Sequence, residues 1–458
     1  MSRSTSALLP EAALVRPPAR YAGPRGWRVV RDVLQMRRDR IGLVTRAARE
    51  YGDVVHFRLG PRHLVLVSDP DGIRRVLVDN EGNYRKGLGL ADARPMLGDG
   101  LLTSEGERWA ARRRTMQPIF HAAHLERFGD AVIEAARETA ASWSAAGPQP
   151  IDLGRDMRRL TLSAFAGGVL GVDVGARRDA LIDAFGAVEA WAMARSVALM
   201  PAPAWMPGAA NRRVRRALRE LDVFVEAVLD AVRSRRGGGP FDGVITALDR
   251  EGGAAARDEL MTLLLAGHET TGAALAWIWS CLGRHPEVET RVHRELDEVL
   301  GDRRVSLADL PRLPYTRAVV DETLRLYPPV WLVPREAIGA DTICGDAVGH
   351  GADVLLCAYT LHRNARYWPE PDRFDPDRFA RAADVRPAGV YLPFGAGPRA
   401  CAGSRFAIVE AMLVVAELGR TFRLRGPFEQ VVPEPSLTLR FPEGVAVHAG
   451  RRGRGDPA

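Results

Sequence analysis

Phe394-Gly-Ala-Gly-Pro-Arg-Ala-Cys401-Ala-Gly-Ser-Arg-Phe-Ala407 sets a cysteine among glycines, directly before a strongly helical run from Phe406 to Leu418. Such a place favours a thiolate, because free N–H groups and the positive dipole end at a helix amino terminus stabilise an anion. Arg399, two residues away, adds a positive charge. Gly397 and Gly403 would let the backbone close around a large planar ligand, and N–H donors aimed at sulfur would tune the charge it passes to a metal. An unpaired cysteine is usually a small buried hydrophobe. That reading leaves the surrounding Phe394, glycines and arginine without a reason.

Ala266-Gly-His-Glu-Thr-Thr271 falls in a long apolar helical stretch predicted from Asp258 to Leu282. A zinc-protease HExxH would need histidine at 272, where Gly272 stands. Gly267 is expected to open the helix face. The Thr270 hydroxyl can donate to an oxygen ligand or to the carbonyl of Ala266, four residues back. Glu322-Thr-Leu-Arg325 puts opposite charges at i and i+3 on one helix face. Trp109 and Arg113, four apart, also share a face.

Phe394, Gly397, Arg399, Cys401 and Gly403 match FxxGxRxCxG, the haem-thiolate signature of the cytochrome P450 family, and the chain resembles that family from about residue 50 to 440. The resemblance implies a mainly α (α+β) P450 fold, a large helical domain with a long central helix and a small β-rich region. It implies haem b, with Cys401 as its metal ligand and Trp109, Arg113, Ala266, Gly267, Arg335, Phe394, Gly397, Arg399 and Gly403 around it. Trp109, Arg113, Arg335 and Arg399 are the expected partners of the two propionates. Thr270 becomes a candidate donor to dioxygen and Glu269 a proton relay. Glu322, Arg325 and Arg378, of Pro376-Asp-Arg-Phe379, are implied to form a buried network. The pocket-lining regions of the family fall on Met96, Leu97, Trp191, Leu263, Val330, Trp331 and Leu437, which suit an apolar small-molecule substrate. The expected reaction is oxygen insertion from O2 into a terpene or terpenoid, with a fatty acid as the alternative and a non-enzymatic haem-thiolate sensor as the competing class. The motif wording is similar to the fatty-acid-hydroxylase and microsomal-like branch. No electron-transfer region follows Cys401, so a separate ferredoxin or flavodoxin with a NAD(P)H-dependent reductase is expected, docking near Arg112, Arg114 and Arg405.

The 458 residues are 46% hydrophobic and 26% charged, values of an ordinary globular protein. The net charge of +7 comes almost wholly from arginine, since Lys86 is the single lysine. This arginine usage suggests a high-GC bacterial source, where such enzymes often serve secondary metabolism. The arginines are interleaved with acids, so nucleic-acid binding is not expected. Their tightest run, Arg212, Arg213, Arg215, Arg216 and Arg219, reads as a solvated helix face. Cys281, Cys344, Cys357 and Cys401 have neither zinc nor CxxC spacing, so free thiols in the cytoplasm are expected. No transmembrane anchor or signal peptide is visible. Residues 1–27 read as a flexible lead-in, 28–449 as a single haem domain and 450–458 as a tail. Val54 to Leu59 and His63 to Val67 read as a hairpin, and Glu105 to about Leu300 as mostly helix. Further strands are expected near Val354 to Tyr359 and Thr421 to Leu424. Gly395-Ala-Gly-Pro-Arg-Ala400 could be a dinucleotide loop, but no acidic residue stands where the next strand should end.

Overall fold

The longest element is the helix Ala255–Arg284, which extends past both ends of the predicted Asp258 to Leu282. Helices apolar on every side belong inside a protein. Between residues 258 and 282 only Ala266, Gly267 and Thr270 are not buried. The computed structural model describes residues 21–36, 38–59, 62–196, 206, 208–234, 241–252, 254–380 and 386–453.

Small residues let the helix Leu153–Phe165 lie directly against this central helix. A Cβ on Gly267 would stand 2.6 Å from the Phe165 ring, and one on Gly272 3.0 Å from Arg158. The expectation that Gly267 opens space beside a cofactor is therefore corrected: the missing side chain makes room for Phe165. Thr161 fixes the crossing by donating to the carbonyl of His268 at 2.8 Å. Leu125–Ala146 and Ser404–Gly419 pack on these two helices, and Arg178–Ser196 and Ala209–Ser234, packed on each other, extend the same core. The prolines at 201, 203 and 207 and the glycine cluster at 237–240, taken as interruptions, lie outside the described residues.

The first two strands are β1 (Val54–Leu59) and β2 (Arg62–Val67), paired antiparallel with Val54 opposite Val67 and Leu59 opposite Arg62. Arg62, read as part of the turn, thus belongs to β2. Next come β3 (Tyr84–Lys86), β4 (Ile151–Asp152), β5 (Val333–Ala337), β6 (Asp341–Ile343), β7 (Asp346–Val348) and β8 (Asp353–Leu356). The last four are β9 (Phe422–Arg425), β10 (Glu434–Pro435), β11 (Leu439–Arg440) and β12 (Ala446–Arg451). The main sheet has the order β1-β2-β8-β5-β3, and β4-β12-β9 form a second. The expected strand to Tyr359 stops at Leu356, where a short helix Ala358–Leu361 takes over.

Both terminal boundaries shift. Strand β12 carries Gly450 and Arg451, which were assigned to the tail. Before the helix Trp27–Met36, Tyr21 stacks on His56 with centroids 4.1 Å apart, and Ala22 accepts a bond from the His56 N–H. The end of the supposed lead-in is thus packed on β1. No helix among the described residues is long and apolar enough to cross a membrane.

Candidate haem site

Two left-handed glycines, Gly395 at φ 71° and Gly397 at φ 70°, bend the chain into a loop that the Cys401 N–H closes on the Phe394 carbonyl at 2.9 Å. Glycine takes such angles without steric cost. A Cβ on Gly397 would stand 2.0 Å from the carbonyl oxygen of Leu77, and one on Gly403 3.2 Å from the Phe120 ring. Both glycines, expected to make room for a ligand, make room for protein neighbours. Cys401 itself is exposed, and the helix starts three residues later at Ser404. Burial by the surrounding protein pushes the thiol up, opposed by the Gly403 N–H and by the charge of Arg113. The cation acting on sulfur is thus Arg113 rather than the expected Arg399.

Arg399 serves another cluster. Its guanidinium stacks over Trp109, 5.1 Å from the ring centroid, and reaches Glu105 at 2.7 Å and Glu81 at 3.5 Å. Its Nε and Nη1 are buried and align a hydrogen bond with neither. Arg335 is buried, and burial and then Arg399 push it down to about 10. Lys86 joins them, donating from Nζ to the carbonyls of Leu101 at 2.9 Å and Ser104 at 2.6 Å. Burial, with Arg399 and Arg335 nearby and only partly offset by Glu105, pushes it down to about 8. Three crowded cations face two carboxylates, Glu81 and Glu105, so further carboxylates would be welcome there. Lys86 was missed as a site residue; being the chain's single lysine was the available signal.

On the central helix Thr270 donates to Ala266 O at 2.8 Å, as its spacing allowed. Glu269 is buried and turned elsewhere, accepting from Arg440 Nε at 2.6 Å and from Thr438 at 3.3 Å. Arg440 also holds Glu189, so one guanidinium joins two buried carboxyls. Burial raises both carboxyls. At Glu269 Arg440, His268 and Arg158 outweigh it and bring the group below the usual range, whereas burial and the Glu269 charge push Glu189 up to about 8. A small cavity lined by Arg158, Glu269, Gly272 and Arg440 borders Glu269, and Arg158 is itself held by exposed Glu443. No hydrogen bond joins Glu269 to Thr270 among the described residues.

Glu322 and Arg325 are fully buried and joined by two bonds of 2.7 Å. Arg325 also donates to the carbonyls of His362, Pro371 and Arg373 at 2.7, 2.6 and 3.0 Å, and Arg378 approaches Glu322 at 3.4 Å. His362, missed from sequence, links this network to the cysteine loop. Its Nε2 accepts from the Leu392 N–H at 2.9 Å, so Nδ1 carries the proton toward Arg325 O at 3.1 Å.

The pocket candidates divide. Leu97, Trp191 and Leu263 lie in the main core, with the Trp191 indole donating to Asn211. Trp331 is corrected to a structural role: it packs with Val44, Ala47, Val55 and Leu66 and donates to Ser436 O. Val330 is exposed and Leu437 partly buried, while the Met96 side chain lies outside the described residues. Arg112 is also corrected. It is buried and paired with Glu251 and Glu259 at 3.4 and 3.7 Å, so it offers nothing to a docking protein, whereas Arg114 and Arg405 are exposed.

These features fit a planar, dianionic iron group. Exposed Ala266 interrupts the most buried helix, Cys401 offers a thiol, and underpaired cations wait beside Trp109. The cytochrome P450 family model matches residues 22–448. Cyclooctatin synthase of Streptomyces melanosporofaciens is 37% identical over 402 residues, covering 85% of this chain and 87% of its own. Cyclooctat-9-en-7-ol 5-monooxygenase of the same organism is 35% identical, covering 85% and 84%. Rat cytochrome P450 4V2 is 28% identical, covering 88% and 83%. With the family matched along nearly the whole chain, this protein belongs to the cytochrome P450 family and is a monooxygenase that carries haem b on a cysteine thiolate and uses O2 with electrons from a redox partner.

Proposed function

We propose that the chain hydroxylates or epoxidises a terpenoid, with Cys401 as the thiolate ligand. The observation that carries the ligand assignment is the exposed Cys401 thiol, hydrogen-bonded by the Gly403 N–H in a loop fixed by Gly395 and Gly397. Thiolate-bound haem supplies O–O bond cleavage and oxygen insertion. The protein's own groups do the rest. Arg113, Arg335, Arg399 and Trp109 would hold the two propionates, with Lys86 completing the positive wall. Thr270 holds a hydroxyl proton at Oγ1 on the interrupted face of the central helix, a proton it would be free to donate on leaving Ala266 O. Glu269 is the acid one residue away, kept ionised by Arg440.

Terpenoid chemistry is supported by two relatives named for cyclooctatin and cyclooctat-9-en-7-ol. A bacterial ferredoxin or flavodoxin is the proposed electron donor, docking on exposed Arg114 and Arg405. A cytoplasmic setting accords with four unpaired cysteines.

The test is the ferric absorption spectrum of the haem-loaded protein titrated with cyclooctat-9-en-7-ol, other terpene alcohols and hydrocarbons, and fatty acids. A low-to-high-spin shift with a terpenoid is expected. A shift with fatty acids alone would move the reading to fatty-acid hydroxylation, and no shift with any terpenoid would overturn it. Cys401→Ser should lose the thiolate spectrum; its retention would remove Cys401 as ligand.

A further inference from the structure

The helix Ala209–Ser234 buries Val214, Ala217, Leu221, Phe224, Val225, Val228, Leu229 and Val232 on its inner face. Its outward ridge consists of Arg212, Arg216, Arg219, Val223, Glu226 and Asp230, all exposed. The steps along this ridge alternate between four and three residues, the spacing of a helix seam. Its charges run against the helix's own dipole, with arginines at the positive amino end and acids towards the negative carboxyl end. Arg212 and Arg216 are also like charges one turn apart, which weakens an isolated helix. Among the described residues, Arg212, Arg216, Arg219 and Glu226 belong to no ion pair, and Asp230 meets only Arg233, at 3.8 Å. Val223 is 55% exposed in the middle.

We propose that this ridge is a docking surface for a second copy of the chain, packed antiparallel about a twofold axis that crosses the ridge midway between Arg219 and Val223. Arg212 then meets the partner's Asp230, Arg216 meets the partner's Glu226, and Arg219 covers the partner's Val223. The twofold repeats every pair, as an isologous interface requires. Parallel packing would oppose arginine to arginine, and antiparallel packing alone also opposes the two helix dipoles. An anionic surface would satisfy the arginines but repel Glu226 and Asp230, so a second copy suits the whole ridge. Glu220 comes near the partner's Asp222, a charge already held by Arg257 at 2.6 Å within each chain. The ridge from residue 212 to 230 is about 28 Å long. A single helix pair of that length lies at the small end of interface sizes, so association is weak and ionic.

Sedimentation velocity of the haem-loaded protein, over roughly 1 to 200 μM and at low and high salt, tests this. Reversible dimers at low salt that dissociate at high salt are expected. Arg216→Glu and Glu226→Arg should each weaken dimerisation by about tenfold or more. The doubly exchanged protein, Arg216→Glu with Glu226→Arg, should regain wild-type association, because both symmetry-related pairs are restored with reversed sign. A monomer throughout would overturn the proposal, as would failure of the double exchange to rescue. A monomer that sediments only with anionic lipid vesicles would assign the ridge to a membrane surface and overturn it equally.

Discussion

Arg440 shows how one side chain sets the state of a site. Two carboxyls, Glu189 and Glu269, are buried beside it, and it bonds to both. Removing the cation leaves the Glu269 charge buried without its partner, whereas replacing Glu189 keeps the Arg440–Glu269 pair intact. Arg440→Leu should therefore cost about 3–5 kcal/mol of stability in urea unfolding of the holoprotein. Glu189→Gln should cost about 1 kcal/mol or less, because Glu189 is the member of the pair lifted to about 8 and already carries a proton at neutral pH. Equal costs for the two variants would contradict this division. Glu269 was legible in Ala266-Gly-His-Glu-Thr-Thr271, since the motif is contiguous. Arg440 was not: it lies far along the chain in a two-residue strand, and nothing local distinguishes an arginine that crosses the core from one at the surface. His362 was hidden for the same reason, because its partners Arg325 and Leu392 meet only in three dimensions.

At the scale of elements, the long helices were readable because their apolar residues recur over many turns. The hairpin was readable because β-branched residues flank a turn signal. Strands β3 to β7 are two to five residues long, too short for alternation to register. Glycine gave a subtler ambiguity. It marks close approach without saying to what, so Gly397 was assigned to a ligand when its neighbour is the Leu77 carbonyl in the turn Arg75–Asp79. Gly395 supplies an internal comparison, having nearly the same φ but nothing within 4 Å of its Cβ position. Gly395→Ala should lose only the left-handed backbone cost, about 1–2 kcal/mol. Gly397→Ala adds a collision that pushes the cysteine loop off the turn, so its loss of thermal stability and of haem per protein should be clearly larger. If both alanine variants behave alike, the Leu77 contact does not position the loop.

Across the whole molecule, buried histidines join parts of the chain distant in sequence, and this gives the fold a pH limit. Burial, followed by Arg325, pushes His362 down to about 3. Burial and then Arg452, Arg423 and Arg425 do the same to His293. His63, half-exposed, is pushed down to about 4 by burial and then His56. Each is neutral in the native protein but takes a proton near pH 6.5 once unfolded. The sign follows: stability is complete above about pH 6.5, and is lost as pH falls towards the native values, because the unfolded chain binds the extra protons. Each fully buried histidine contributes a slope of up to about 1.4 kcal/mol per pH unit, so His293 and His362 together give roughly 3, with a smaller share from solvent-screened His63. Asp341 acts lower on the scale. Although burial raises it, Arg75, Tyr84 and Asn80 hold it down to about 2, so its stabilisation persists until pH falls below about 4. Glu189, protonated in the native protein but ionised above about pH 4.5 once unfolded, contributes a slope of the opposite sign between pH 6.5 and 4.5, so the histidine contribution to urea midpoints of the holoprotein is read as the difference between variant and wild type in that window. In His362→Gln the neutral stability drops, because the bonds to Leu392 N and Arg325 O are disturbed, but the slope in that window should flatten by about 1.4 kcal/mol per pH unit. A variant that keeps the full wild-type slope would show that the His362 imidazole takes no part in the acid response.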